Sequence, residues 1–91
     1  ETESIVAIDM CTRAFLKFKT SPLREYVGDM PTEMFEHFFV SFINTLGFTC
    51  HIKTEGQNSH HIIECTFKAF ARAFSKALEV TNKDNTTKGF L

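Results

Sequence analysis

Tryptophan is absent from these 91 residues, and tyrosine occurs once. Eleven phenylalanines do the filling within an ordinary apolar fraction of 43%, so the chain can bury one core and is not disordered. At this length it makes a single small domain, residues 1–91. A surplus of charge is missing too: ten basic and eleven acidic residues are interspersed and leave a net charge of -1. Without a basic stripe, no nucleic-acid partner is expected. No run approaches the roughly 18 apolar residues that span a bilayer, and no charged-then-apolar leader opens the chain. Neither a membrane nor a secretory role is expected, which leaves the cytoplasm. Cysteine is scarce, and three is an odd number. Cys11, Cys50 and Cys65 lie in apolar segments without metal-finger spacing, and read as reduced core residues. The chain opens "ETESIVAID", without methionine and directly into a strand pattern, as expected of half of a longer protein.

What is present falls into short periodic segments. Residues 4–9, "SIVAID", and 14–19, "AFLKFK", are β-prone runs joined by "MCTR", which predicts an antiparallel pair with Arg13 at the turn. "TSPLREYVGDMP" reads as a connecting loop. From Thr32 to Leu46 the residues Met34, Phe35, Phe38, Phe39, Phe42, Ile43 and Leu46 recur at helical spacing, and Gly47 is the stop. "FTCHIK", 48–53, alternates like a strand with one face buried. A second helix is predicted from His60 to about Glu79, with a stripe of Ile63, Phe67, Phe70, Phe74 and Leu78 and a cap from Asn58 or Ser59. Residues 80–91 read as a loose tail. The class is α+β: a two-layer unit with two helices on one face of a small mixed or antiparallel sheet, whose other face needs a partner.

The chemistry concentrates in "NSHHIIECTFK", 58–68. His60 and Glu64 are one turn apart, His61 precedes Glu64 by three residues, and Lys68 lies a turn further on, so the spacing predicts all four on one side of the helix. Imidazole and carboxylate suit manganese, iron or zinc, and such spacings let one helix supply two ligands. Adjacent histidines point about 100° apart, so His60 and His61 are expected to serve two metals or two subunits. The same spacing also suits a solvated histidine pair beside an ordinary Glu64–Lys68 ion pair worth a few tenths of a kcal/mol. Zincin and inverted-zincin patterns are excluded, because Ile62 and Cys65 stand where those motifs need other residues. His37 lies on the polar side of the first helix and His51 on the open face of its strand. Arg13 and Lys88 are cations that would suit a phosphate. Cys65 lacks an activating arrangement and reads as core.

"PTEMFEHFFVSF", "HIKTEGQNSHHIIECTFKAFARAFSKAL" and "TTKGFL" together resemble the second, C-terminal half of imidazoleglycerol-phosphate dehydratase, and the resemblance covers the whole chain. It implies one half of a duplicated dehydratase fold, ribosomal protein S5 domain 2-like, assembled in that family as a homo-oligomeric shell of twenty-four subunits. It implies two Mn(2+) ions per active site, between subunits, with His37, His60, His61 and Glu64 as metal ligands. His61 and Glu64 are also the expected catalytic residues. Arg13, Lys68, Thr86 and Lys88 would bind the substrate phosphate, the last two from the tail; His51 stays outside the metal shell. Three departures stand out: "CTRA" replaces Ser-Gly-Arg-Pro, Thr86 replaces a serine, and Cys50 replaces a strand leucine. The family's first half, with its own ligands, a phosphate-binding arginine and a proton-moving glutamate, is not in this chain. The implied activity is a hydro-lyase of histidine biosynthesis that turns imidazole glycerol phosphate into imidazole acetol phosphate and water. The alternatives are a non-catalytic half-domain that assembles and binds metal, and a generic metal hydrolase.

Overall fold

The computed structural model describes residues 1–10 and 13–87, with side chains through Lys83. In order these form β1 (Glu3–Asp9), β2 (Phe15–Thr20), β3 (Tyr26–Val27), β4 (Met30–Pro31), α1 (Glu33–Leu46), β5 (Thr49–Glu55) and α2 (Ser59–Thr87). Alternation sorts the sheet residues: Ser4, Val6 and Ile8, Leu16 and Phe18, and Cys50, Ile52 and Thr54 turn toward the helices, while their neighbours point away. The expected α+β class holds.

The pairing does not follow the expected hairpin. The strand order is β1-β5-β2, with β1 antiparallel to β5 and β2 parallel to it, so that Ala7 and Lys17 flank His51. β5 takes the centre because its inward residues are the most deeply buried of the three strands. A parallel pair needs a crossover of a dozen residues or more, and α1 is that crossover between β2 and β5. Inside the segment read as a loop, β3 and β4 make a small antiparallel pair.

α1 buries Phe35, Phe39 and Ile43 at four-residue steps and ends where predicted. Gly47 takes the left-handed conformation at φ 79°, and its N–H donates to the Ile43 carbonyl at 2.8 Å. At the start of α2, Asn58 is the cap: its Oδ1 accepts from the His61 N–H at 3.1 Å. Ser59, the other candidate, instead accepts from the Arg24 N–H at 2.9 Å and ties the loop after β2 to the helix. Gly56 allows the close approach here, since a Cβ on it would lie 2.9 Å from Thr2 Oγ1 and 3.0 Å from Ile62 Cγ1. α2 continues past Glu79 through Thr87, where a loose tail was expected, because its polar residues include no proline or glycine before Gly89.

The core is aromatic. Phe35, Phe39, Phe48 and Phe70 are buried with Ile43, Cys50, Ile52 and Ile62. Phe39 sits 5.0 Å from both Phe67 and Phe70, centroid to centroid, and Phe74 stacks on Phe70 and Phe48. The buried stripe of α2 is rotated from the expected one: Ile62, Thr66 and Phe70 face the sheet, whereas Phe67 is 36% exposed and Leu78 41%. On α1, Met34, Phe38 and Leu46 are likewise exposed. The apolar band on each helix is wider than one sheet can cover.

Cys50 lies in the core, and burial pushes its thiol from 9.0 up to about 11. The native thiol therefore holds its proton where the unfolded one has lost it. Stability from this group is intact below pH 9 and falls as pH rises from 9 toward 11, by roughly 2 kcal/mol at the top. Denaturant midpoints at pH 8 and 10.5 should fall further for the unaltered protein than for Cys50→Ala.

Candidate functional site

Three of the four helix residues singled out in the sequence share one groove. His61, Glu64 and Lys68 line a depression of about 570 Å³ between α2 and the start of β1, where Thr2 and Ser4 form the opposite wall. All three are exposed. Among the described residues Glu64 and Lys68 form no ion pair, so that part of the alternative reading is not seen, while His60 and His61 are both exposed as it also expects. Asn58 fixes this geometry locally, because its cap bond is made to the backbone of His61 itself.

His60 does not line the groove. Its ring centre is 6.0 Å from that of His61, with the planes at 72°, so the expectation that all four share one side is corrected for this residue. The reason is the 100° step between successive residues, which swings His60 off the edge that His61 and Lys68 share. His37 lines a different groove, of about 550 Å³, between the end of β2 and the first turn of α1, with Glu33, Glu36 and Thr20. Arg13 is exposed ahead of β2, where its carbonyl accepts from Thr49 Oγ1 at 2.8 Å, and it does not line the His61 groove. Thr86 lies on the last turn of α2 with its side chain outside the described residues, and Lys88 lies outside them altogether. His51 is on the open sheet face, edge-on to Phe15 at 6.0 Å, away from the donors of α2.

Cys65, read as core, is half-buried and lines the groove. Cys11 lies outside the described residues. Arg72 also lines the groove and was missed. Its signal was in plain view, since it continues the four-residue series from Glu64 through Lys68. The result is an anion-ready wall, Lys68 and Arg72, next to an imidazole and a carboxylate. Among the described residues no group of three or more His, Cys, Asp or Glu side chains is placed to hold a metal ion.

The family model described as imidazoleglycerol-phosphate dehydratase matches residues 1–74. The chain belongs to the imidazoleglycerol-phosphate dehydratase family. Among its relatives, the histidine biosynthesis bifunctional protein HisB of Legionella pneumophila (strain Philadelphia 1) is 45% identical over 92 residues, covering 100% of this chain and 26% of that protein. Imidazoleglycerol-phosphate dehydratase 1, chloroplastic, of Arabidopsis thaliana is 48% identical over 75 residues, covering 81% of this chain and 28% of the relative. The crystal structure of imidazoleglycerol-phosphate dehydratase from Staphylococcus aureus superposes with a TM-score of 0.77 at 42% identity, over 80% of this chain and 43% of that one. The chain therefore spans about a quarter of the length of these two curated relatives. Among the described residues no helix is long and apolar enough to cross a membrane.

Proposed function

We propose that this chain is the second half of a manganese-dependent imidazoleglycerol-phosphate dehydratase, working in the cytoplasm as part of a homo-oligomeric shell. The observation that carries the reading is the groove in which His61 and Glu64 stand beside Lys68 and Arg72, with no complete metal site among the described residues. Imidazole and carboxylate are a donor set manganese accepts, and the exposure of both groups leaves room for further donors. His37 and His60 fall outside that groove, and in this reading they meet donors brought by another copy. That arrangement asks for assembly.

Bound there, manganese would supply Lewis acidity toward the imidazole of the substrate. The residues of this chain do the rest of the holding. Lys68 meets the substrate phosphate by charge-assisted hydrogen bonds from Nζ, with Arg13, Thr86 and Lys88 as the other phosphate holders. Holding the phosphate fixes the carbon that must lose its proton relative to the metal-binding edge, which is where orientation lowers the barrier. Removing water breaks the C–O bond at the carbon attached to the imidazole ring and a C–H bond at the neighbouring carbon, whose remaining hydroxyl becomes the ketone when the enol tautomerises, and the departing hydroxide takes up a proton.

The direct test is to supply imidazole glycerol phosphate and manganese to the assembled protein together with a first-half chain. Imidazole acetol phosphate should appear. Metal uptake without turnover would instead mark a non-catalytic half-domain, and hydrolysis of simple phosphate esters with none of that product would mark a metal hydrolase. Lys68→Ala should raise KM about tenfold or more while manganese content by elemental analysis stays unchanged. Loss of manganese with unchanged KM would contradict the phosphate role.

A further inference from the structure

Beneath the groove runs a chain of hydroxyls that the apolar pattern of α2 gave no reason to expect. Thr66 is fully buried in the middle of the helix's inward face, between the turns that carry Glu64 and Lys68. Thr54 on β5 is buried too, and Ser4 on β1 lies between them. Ser4 Oγ is 2.6 Å from Thr54 Oγ1 and 3.1 Å from Thr66 Oγ1. The direction of the chain follows from counting protons. Thr66 has one hydroxyl proton, donated to the Ile62 carbonyl at 2.7 Å, so Thr66 Oγ1 can only accept from Ser4. Ser4 has then spent its proton and accepts from Thr54, whose single hydroxyl proton is shared between Ser4 Oγ at 2.6 Å and the Glu3 carbonyl at 3.2 Å. Each donor has an acceptor, and the link runs from the central strand through the edge strand into one turn of α2.

We infer that Thr66, through Ser4 and Thr54, is a positioning residue that sets the rotation of α2 over the sheet and so aims His61 and Glu64 into their groove. This rests on the metal reading above. The physical need is specific to this helix. Its apolar band is wide, with Ile62, Ile63, Phe67, Phe70 and Phe74 all able to find contacts, and apolar contacts are non-directional. Small rotations would keep much of the burial while moving the donors. A hydrogen bond between buried hydroxyls on different elements has one geometry and costs free energy if left unmade. Ser4 couples that geometry to the site directly, since it lines the same groove as His61 and Glu64. None of the three hydroxyls is a donor to metal or substrate in this account.

Two variants of one side chain separate positioning from mere support. Thr66→Val keeps the shape and burial but removes the hydroxyl. It should lower the melting temperature no further than Thr66→Ser does, the cost of leaving the Ser4 hydroxyl without this acceptor, while weakening manganese binding about tenfold, read by titration calorimetry on the assembled protein. Thr66→Ser keeps the hydroxyl and loses a buried methyl; it should melt lower yet bind manganese within about twofold of the original. Binding by Thr66→Val within twofold of the original would overturn the proposal, as would binding that simply tracks melting temperature across the variants. If Thr66→Val does not fold, Ser4→Ala cuts the same link from the strand side and is read the same way. Failure of the unaltered protein to take up manganese would overturn the metal reading itself, and the positioning role with it.

Discussion

Glu64→Ala is expected to strip manganese from the assembled protein and abolish dehydration, and His61→Ala should do the same. The two side chains are the metal-suited pair that one helix brings to one groove, and neither is engaged by a partner among the described residues. Removing one leaves a single donor from this chain, too few to hold an ion that also needs donors from a neighbour. A metal present at about a hundred times its dissociation constant adds about 2.7 kcal/mol to the folded state. Either variant should therefore melt several degrees lower in manganese-containing buffer, and the gap should close when a chelator removes the metal from the unaltered protein. Elemental analysis and paired melting curves check both parts. A full complement of manganese in Glu64→Ala would show that its carboxylate is not a ligand.

The second large effect lies in the core. Phe39 has no exposed surface and contacts the rings of Phe18, Phe35, Phe38, Phe67 and Phe70, which join β2 and both helices. Phe39→Ala should cost about 3 to 5 kcal/mol, through lost burial and the cavity left behind. Against a total stability on the order of 5 to 15 kcal/mol, that removes from about a fifth to nearly all of it, and leaves much of the protein unfolded where the total lies at the low end. Phe38, one residue away but 43% exposed, should cost under about half as much when truncated in the unassembled chain. Urea midpoints with unchanged slopes would measure both, and equal losses would mean that the core is not centred on Phe39.

Periodicity made the helices legible. Phe35, Phe39 and Ile43 could be read as buried because they recur at four-residue steps, and Gly47 ended α1 because a left-handed residue closes the last turn. Pairing was another matter. "SIVAID" and "AFLKFK" have the same alternation whether they pair with each other or with a third strand, and only the long-range insertion of β5 decides it. The rotation of α2 was hidden for a related reason: Ile62 and Ile63, or Thr66 and Phe67, look interchangeable until the sheet picks one side. Thr66 in particular reads as a polar interruption, and becomes sensible only when Ser4, sixty-two positions away in sequence, supplies its partner.

The site was legible as chemistry but not as geometry. His61, Glu64 and Lys68 could be placed together because one helix carries all three, and the missed Arg72 obeys the same spacing. His60 failed that grouping by a single residue's rotation. His37 comes from another element and another groove, so no local pattern in the sequence relates it to His61 and Glu64. The extent of α2 through Thr87 was also unreadable from composition, since polar residues without a breaker fit a helix and a tail equally well.

The measurement that bears most directly on the account is a crystal structure of the assembled protein grown with manganese, with the metal located by its anomalous scattering. The account predicts ions at the boundary between copies, each touched by His61 or Glu64 of one chain and by a donor from another. Imidazole and carboxylate left in bulk solvent, with no manganese near α2 and no second chain facing that groove, would contradict it.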